Sequence, residues 1–392
     1  MLSTSLIRMK HKNLIINIKH VIVYNATSFI YVLSNGFPLM EKLRLFYIAL
    51  FTHFQFAKSQ EPLAPALYVF GDSLLDSGNN NLLPTFAKSN YFPYGADFAA
   101  GATGRFTNGK TVADFIAEFL GLPFPPPYLS LKRSVHITGM NYASGSCGIL
   151  RETGNDFGKC LSISEQVNMF NQTMGMQLSR YYNSPKELSD YLSNSIFLIA
   201  IGSNDYINNY LLPSIYDTSR SHTPRNFAEL LVNTLSIQFQ KLYGLGARKI
   251  VVFEIGPIGC LPLFKHGSEG CVDEYNQLVV MFNEELEAML KNLSTTLQDS
   301  QFVLGRAHWL GYDAIKTPST YGLTDPSNPC CVTWRQGASG CIPEMKPCPD
   351  VDKHYFWDAY HPTEAFYRTF ATMCINGTSV CLPKNINDLV RA

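Results

Sequence analysis

The sequence lacks the features of several protein classes. It has no uninterrupted apolar stretch of the ~18 residues or more that a membrane-spanning helix needs, and no internal repeat or low-complexity tract. The most apolar part of its beginning, residues 14–33, is interrupted by Lys19, His20 and Asn25. No Gly-x-Ser-x-Gly motif occurs, which argues against the α/β-hydrolase fold. We therefore expect neither stable membrane insertion nor a repeat-built structural protein.

The sequence also lacks an excess of either charge, with 31 Lys/Arg and 31 Asp/Glu. Residues 1–59 hold seven of the basic residues and one of the acidic ones, so residues 60–392 carry 24 basic and 30 acidic residues, a net charge of −6. A mildly acidic chain without a basic run is a poor binder of polyanions. We expect no nucleic-acid partner.

The N-terminal segment has the pattern of a secretory signal peptide, displaced from the first residue. Residues 40–44 are a short basic region, residues 45–57 are apolar, and small residues stand at Ala57 and Ser59. We expect residues 1–39 to be a non-native upstream extension, 40–59 the signal peptide and 60–392 a single domain. The alternative is a start at Met1 with a long signal or signal anchor. The pattern predicts a secreted, extracellular protein.

Cysteine is absent before residue 147. An even number of cysteines in a secreted chain indicates disulfides. The sequence does not determine the pairing, although neighbours such as Cys260 and Cys271 are possible partners. A zinc site in residues 330–348 is the competing interpretation, which adjacent cysteines and the lack of an interleaved histidine disfavour. The ten cysteines are Cys147, Cys160, Cys260, Cys271, Cys330, Cys331, Cys341, Cys348, Cys374 and Cys381.

Three sequons follow the predicted cleavage site. They begin at Asn171, Asn292 and Asn376. In a secreted protein each is a candidate glycosylation site on the surface.

Strand-like and helix-like segments alternate along the chain. Amphipathic helices are expected at 112–120, 226–243 and 275–297. This alternation predicts a parallel sheet covered on both faces by helices. The predicted strands are Ala66–Phe70, Val135–Tyr142, Ser195–Ile201, Lys249–Glu254 and Gln301–Gly305.

A serine follows the first predicted strand. Gly71, Asp72 and Ser73 come directly after the apolar segment, so the Ser73 hydroxyl lies at the carboxyl end of a strand, where open α/β sheets build their active sites. Near the end of the chain, Asp358 precedes His361 by three residues. A serine, an aspartate and a histidine are the parts of an acyl-transfer triad.

Four blocks resemble those of the plant GDSL esterase/lipases of the SGNH hydrolase superfamily. They stand in the order and spacing of that family and span nearly the whole predicted mature chain. The chain departs from the usual pattern at Ser146-Cys147, where many relatives have Gly-Ala, and at Val332, where Gly is common. The blocks are Gly71–Leu74, Gly139–Gly145, Gly202–Tyr206 and Asp358–Glu364.

The resemblance implies a fold and a set of roles. The fold is a three-layer α/β/α sandwich with a flavodoxin-like parallel sheet of about five strands. Ser73 is the nucleophile, His361 its base and Asp358 the partner of the base. The oxyanion donors are the backbone N–H groups of Ser73 and Gly145 and the side-chain amide of Asn204.

Asp72 precedes Ser73 and Asp205 follows Asn204. Both aspartates are expected to accept hydrogen bonds from backbone groups in their turns. No metal or organic cofactor is implied.

The implied activity is hydrolysis of carboxylic esters, with a small-molecule or lipid ester as substrate. Two alternatives stay open: acyl transfer to a hydroxyl, as in building a cuticle or wall polyester, and a catalytically silent relative that binds wall or lipid components. The second predicts loss of Ser73, Asn204 or His361, and all three are present. The acyl chain length and the oligomeric state do not follow from these residues.

Overall fold

The computed structural model describes residues 61–131, 136–265, 270–334 and 339–392. The predicted upstream extension and signal peptide lie outside the described residues. Residues Pro62–Ala392 form one compact unit. The strands are β1 (Leu67–Gly71), β2 (Ile196–Ala200), β3 (Lys249–Phe253), β4 (Gln301–Gly305), β5 (Asp325–Pro329), β6 (His354–Phe356) and β7 (Cys381–Leu382).

Four parallel strands form the centre of the main sheet. Their order is β1-β2-β3-β4, and the short β7 pairs antiparallel with β4. β1 pairs with β2 from Leu67 and Ile196 through to Gly71 and Ala200. Every residue of β1, β2 and β3 is buried, as expected for parallel strands covered on both faces. A separate parallel pair joins β5 and β6.

The longer helices cover the sheet in two groups. Helix α4 (Pro224–Gly244) packs against α2 (Ile163–Thr173) and α5 (Asp273–Thr296), while α7 (Glu364–Asn376) packs against α1 (Val112–Leu120) and α8 (Ile386–Arg391). The mixed α/β architecture with a mostly parallel sheet confirms the predicted sandwich. The longer helices are α1 (Val112–Leu120), α2 (Ile163–Thr173), α3 (Pro185–Asn194), α4 (Pro224–Gly244), α5 (Asp273–Thr296), α6 (Ala307–Lys316), α7 (Glu364–Asn376) and α8 (Ile386–Arg391).

Short helical segments complete the described chain. One-turn α-helices occupy Ser179–Tyr181, Ser203–Asp205, Thr218–Ser221 and Pro262–Lys265. The 3₁₀ and π segments are Asn79–Leu82, Tyr128–Leu131, Asn155–Phe157, Met174–Leu178, Tyr206–Tyr210, Ile258–Cys260, Pro318–Tyr321 and Val351–Lys353. Among the described residues, no helix combines the length and apolarity needed to cross a bilayer.

The predicted strand at 135–142 is wrong as a regular strand. The described residues 136–142 make only isolated bridges, from Asn141 to Val69 and Pro127. The segment still runs beside β1, because the Leu67 and Val69 N–H groups donate to the carbonyls of Thr138 and Met140. Gly139 interrupts the pleat with a φ of +113°, and a Cβ there would lie 1.9 Å from the Leu67 carbonyl oxygen. The segment thus occupies the place of the second strand in a flavodoxin-like order without strand geometry.

The other four predicted strands and the three predicted helices are confirmed, with ends shifted by at most two residues. β1, β2 and β3 all end at the same edge of the sheet because they are parallel. The loops that follow them therefore meet at that edge.

Candidate active site

The turn after β1 holds Ser73 in place through its neighbours. The side chain of Gln166, on α2, pairs with Gly71 twice: its Oε1 accepts the Gly71 N–H, and its Nε2 donates to the Gly71 carbonyl, both at 2.8 Å. A Cβ on Gly71 would lie 2.2 Å from the Ala200 carbonyl oxygen, so only glycine fits beside β2. The Asp72 N–H donates to that same carbonyl at 3.1 Å. The turn is fixed to both α2 and β2.

Ser73, His361 and Asp358 form one continuous hydrogen-bond chain. The Ser73 Oγ lies 2.7 Å from His361 Nε2. His361 Nδ1 lies 2.8 Å from Asp358 Oδ2 and 2.9 Å from Oδ1. A carboxylate accepts, so Nδ1 carries the proton of the neutral ring and Nε2 is left to accept from the serine. Two segments that are far apart in the sequence thus bring these three side chains into contact.

Asp358 is fully buried, and donors surround its carboxylate. Besides the imidazole, the backbone N–H groups of Tyr360 and His361 donate to Oδ1, both at 2.8 Å. The Tyr94 hydroxyl donates to Oδ2 at 2.6 Å. Tyr94 is itself buried, and burial, together with the nearby Asp358 charge, raises the pKa of its hydroxyl well above the usual range. The hydroxyl therefore keeps its proton at neutral pH and donates it to the carboxylate.

Sequence reasoning missed both Tyr94 and Gln166, because no motif surrounds either residue. The Tyr94 hydroxyl also accepts the Cys341 N–H at 3.2 Å and so joins the carboxylate to the cysteine-rich segment 330–348. Phe106 packs on the histidine from another side, with ring centroids 5.1 Å apart. The imidazole is thereby confined by an apolar face and a buried anion.

The Asn204 amide follows β2 and lies at the same edge. Its Nδ2 donates to the Cys147 carbonyl at 3.0 Å, and its Oδ1 accepts from Asn208 Nδ2 at 2.8 Å. These bonds fix the orientation of the amide. An amide nitrogen carries two protons, so one N–H stays available beyond the bond to Cys147. Asn204 lines the same cavity as Ser73 and His361.

The N–H of Gly145 is engaged elsewhere, which argues against its predicted role as an oxyanion donor. It donates to the carboxylate of Asp76 at 3.3 Å, and Gly145 packs against Phe106 and Asn80. The next residue, Ser146, lines the cavity instead. Within the described ranges, the backbone N–H groups of Ser73 and Ser146 donate to no protein acceptor. The Ser146 N–H is thus free to donate to a ligand, whereas the Gly145 N–H is not.

Ser146 has a φ of +66°, a conformation that normally favours glycine. The Ser146 side chain is buried and its Oγ has no hydrogen-bond partner. This position is where the sequence departs from the Gly-Ala of many relatives.

The two aspartates beside the site bond backbone groups, as the sequence predicted. Asp72 Oδ1 accepts the Leu74 N–H at 3.0 Å. Asp205 accepts the N–H groups of Ile149 and Leu150 at 2.7 and 3.0 Å. Burial raises the pKa of Asp72 to about 7 and that of Asp205 to about 6, against the opposing effect of these hydrogen bonds.

A cavity of about 520 Å³ opens over the Ser73 and His361 side chains. Its wall is largely aromatic and aliphatic, which suits a hydrocarbon ligand. Buried apolar positions on β3, β6 and α7 supply much of the wall: Phe253, Tyr355, Phe356, Phe366, Tyr367 and Phe370.

All ten cysteines are paired, which confirms the predicted disulfides. Cys260 bonds to Cys271, the pairing considered from the sequence. The cysteines of the alternative zinc site bond as Cys330–Cys348 and Cys331–Cys341, so their sulfurs are not free thiolates. The remaining disulfides are Cys147–Cys160 and Cys374–Cys381.

The sequon asparagines Asn171, Asn292 and Asn376 are all exposed.

The mostly parallel sheet lies between two layers of helices, and Ser73, His361 and Asn204 lie at its carboxyl edge beside an apolar cavity. This is the arrangement of a carboxylic ester hydrolase. Comparison with known proteins gives the family. The profile of the family described as GDSL-like Lipase/Acylhydrolase matches residues 67–372. The chain belongs to this family, as the four sequence blocks predicted.

Plant proteins similar to this chain cover most of its length. GDSL esterase/lipase 7 of Arabidopsis thaliana is 46% identical over 324 residues, which are 80% of this chain and 88% of that protein. GDSL esterase/lipase At1g71691 of the same plant is 42% identical over 332 residues, 83% of this chain and 86% of that protein.

Proposed function

We propose that this chain is a secreted serine hydrolase that cleaves the carboxylic ester bonds of lipids or other acyl esters through an acyl-serine intermediate. The observation that carries the proposal is the continuous hydrogen-bond chain from Asp358 through His361 to Ser73 at the floor of an apolar cavity. A serine hydroxyl is a weak nucleophile at neutral pH unless an adjacent base accepts its proton. His361 Nε2 is in place to do so.

The reaction follows from these contacts. Ser73 Oγ attacks the ester carbonyl carbon while its proton passes to His361 Nε2, and Asp358 stabilises the imidazolium through Nδ1–H. When the tetrahedral intermediate collapses, the C–O bond to the alcohol breaks and the alcohol leaves with the proton from Nε2. Water then attacks the acyl-serine, with His361 again accepting and returning the proton. Acid and free Ser73 are the products.

The negative oxygen of the intermediate needs donors fixed before the reaction. Three groups are in position to serve: the N–H of Ser73, the N–H of Ser146 and the remaining amide N–H of Asn204. The two backbone groups have no acceptor among the described residues, and the amide is oriented by Cys147 and Asn208. Removing one such donor typically lowers turnover by about 10²–10³.

We propose the extracellular space of the cell wall or apoplast as the location, with residues 60–392 as the mature domain after cleavage of 40–59. Five disulfides support an oxidising compartment. The exposed Asn171, Asn292 and Asn376 are proposed glycosylation sites. Mass spectrometry of the secreted protein tests both the new N-terminus and the glycans.

The activity is tested by hydrolysis of p-nitrophenyl esters of graded acyl chain length. The protein is produced from Met40 in a secretory host, beside Ser73→Ala and His361→Ala. We expect both variants to lose at least about 10³-fold in kcat/KM.

His354→Ala is the matched control, because this imidazole also lies near a carboxylate, 3.6 Å from Asp350, but does not line the cavity. Undiminished hydrolysis by Ser73→Ala would overturn the mechanism. No hydrolysis by the folded parent would favour acyl transfer to another hydroxyl or a binding role.

A further inference from the structure

Large apolar side chains are exposed on two segments that also supply residues to the cavity wall. The exposed fractions are 90% for Phe86, 65% for Trp334 and 39% for Val332. Single exposed apolar residues are ordinary on protein surfaces, whereas a group of them beside a ligand cavity indicates a contact surface. We call these three residues the rim.

Phe86 connects one side of the rim to the cavity. It lines the cavity that contains Ser73, yet most of its ring faces solvent. Its N–H donates to the Phe157 carbonyl at 2.8 Å, and Phe157 also lines the cavity. The Cys147–Cys160 disulfide closes the segment that carries Phe157. This side of the mouth is therefore held by a covalent link.

The cysteine-rich segment 330–348 carries the other side of the rim. The Trp334 N–H donates to the Ser339 Oγ at 3.0 Å, and Ser339 lines the cavity. The Val332 carbonyl accepts the Ile342 N–H at 2.8 Å, and the Cys331–Cys341 disulfide spans the same turn. Val332 and Trp334 thus stand on a cross-linked loop next to the opening.

The loop is also tied to the site itself. The Tyr91 hydroxyl donates to the Cys341 carbonyl at 3.0 Å, and the Cys341 N–H donates to Tyr94, the residue that contacts Asp358. The rim therefore has a fixed position relative to the reacting groups. Exposed apolar side chains are thus carried by segments that also line the cavity and bond to the site.

We propose that the rim inserts into the surface of an aggregated, electrically neutral lipid ester, so that the chain takes its substrate directly from a lipid–water interface. This inference rests on the proposed ester hydrolysis. Tryptophan and phenylalanine are suited to an interface because they bury a large apolar surface. Residues 60–392 carry six more acidic than basic residues, so an anionic lipid surface would repel this part of the chain. A neutral lipid surface is therefore favoured over an anionic one.

The test compares two forms of substrate. The parent and the double variant Val332→Ser/Trp334→Ser are assayed on an emulsion of a long-chain triacylglycerol and on a short-chain p-nitrophenyl ester that is fully dissolved. We expect the double variant to lose roughly tenfold or more on the emulsion, the effect of about 1.4 kcal/mol. On the dissolved ester we expect it to stay within about twofold of the parent, a difference of less than 0.5 kcal/mol.

Ile237→Ser is the matched control, because Ile237 is 53% exposed on α4 and is not part of the cavity wall. It is expected to match the parent on both substrates. Flotation of the Ser73→Ala protein with emulsion droplets gives a second readout that does not depend on catalysis. We expect this flotation to be abolished when Val332→Ser and Trp334→Ser are added to Ser73→Ala.

The outcomes separate the two proposals. If the parent hydrolyses neither substrate, the proposed function fails. If the double variant equals the parent on the emulsion, or loses activity equally on both substrates, the rim inference is overturned while ester hydrolysis stands. Tighter binding to anionic than to neutral phospholipid vesicles would also overturn it.

Discussion

The Tyr94→Phe substitution tests how the hydrogen bond from Tyr94 to Asp358 affects His361. It removes a 2.6 Å hydrogen bond to Asp358 Oδ2, the oxygen that lies 2.8 Å from His361 Nδ1. It also leaves the buried Cys341 N–H without its acceptor. A hydrogen bond to a charged group contributes about 1.5–3 kcal/mol, and an unsatisfied buried donor costs about 1–3 kcal/mol. We expect the free energy of unfolding to fall by about 3 kcal/mol or more.

The substitution also changes the electrostatics of the site. With one donor fewer, the Asp358 carboxylate keeps more of its negative charge and stabilises the imidazolium form of His361 more strongly. Because the imidazolium cannot accept the Ser73 proton, the acidic limb of the pH profile of kcat/KM is expected to move to higher pH. The shift is bounded at about one pH unit if about 1.4 kcal/mol of the lost bond is expressed there.

The assay is the pH dependence of kcat/KM on a dissolved p-nitrophenyl ester, together with urea unfolding at one pH. Tyr91→Phe is the control, because its hydroxyl bonds to the carbonyl of the same Cys341 at 3.0 Å. We expect that variant to lose about 0.5–1.5 kcal/mol of stability with no displacement of the acidic limb. An unmoved limb in Tyr94→Phe, or an equal shift in both variants, would refute the reasoning.

Two further predictions concern stability. Burial raises the pKa of Asp72 to about 7 and those of Asp76 and Asp205 to about 6, so between about pH 4 and pH 7 the folded state binds more protons than the unfolded state. The free energy of unfolding, measured by chemical denaturation with disulfides intact, should therefore be larger at pH 5.5 than at pH 7.5. The lowered pKa of His308 has the opposite effect, but it is a single group. A smaller free energy of unfolding at pH 5.5 would contradict the prediction. Ser146→Gly should raise stability by about 1 kcal/mol, since it relieves the left-handed φ and removes a hydroxyl without a partner, and a lower melting temperature than the parent's would contradict this.

The local parts of the fold could be predicted from the sequence. β1 to β4 are short apolar runs, α1, α4 and α5 are amphipathic, and the four blocks place polar groups after β1, after β2 and near the C-terminus. Alternation of strands and helices then fixes which strand ends share an edge. Such a shared edge agrees with the site of Ser73 and Asn204 that the family resemblance implied.

Contacts between distant segments could not be predicted in this way. Tyr94 reaches Asp358 across 264 positions, and Gln166 reaches Gly71 across 95. Both depend on how loops pack, which no local pattern encodes. The hydrogen bond from the Gly145 N–H to Asp76 is likewise a contact between distant segments, which composition cannot reveal.

The strand prediction for the segment before Tyr142 was wrong for a related reason. Its residues have strand propensity, but the close approach of Gly139 to the Leu67 backbone breaks the pleat. The signal was the glycine inside the strand-like run, since glycine there often marks a close approach of two backbones.

The central claim is that Ser73 is the nucleophile and His361 its base. The most direct measurement is mass spectrometry of the protein after reaction with an alkylphosphonate p-nitrophenyl ester, which transfers its phosphorus group to an activated serine and releases p-nitrophenol. We expect one adduct, on the peptide that contains Ser73, and its loss in His361→Ala but not in His354→Ala. An adduct on another residue, or full hydrolytic activity in a protein whose Ser73 is unlabelled, would contradict it.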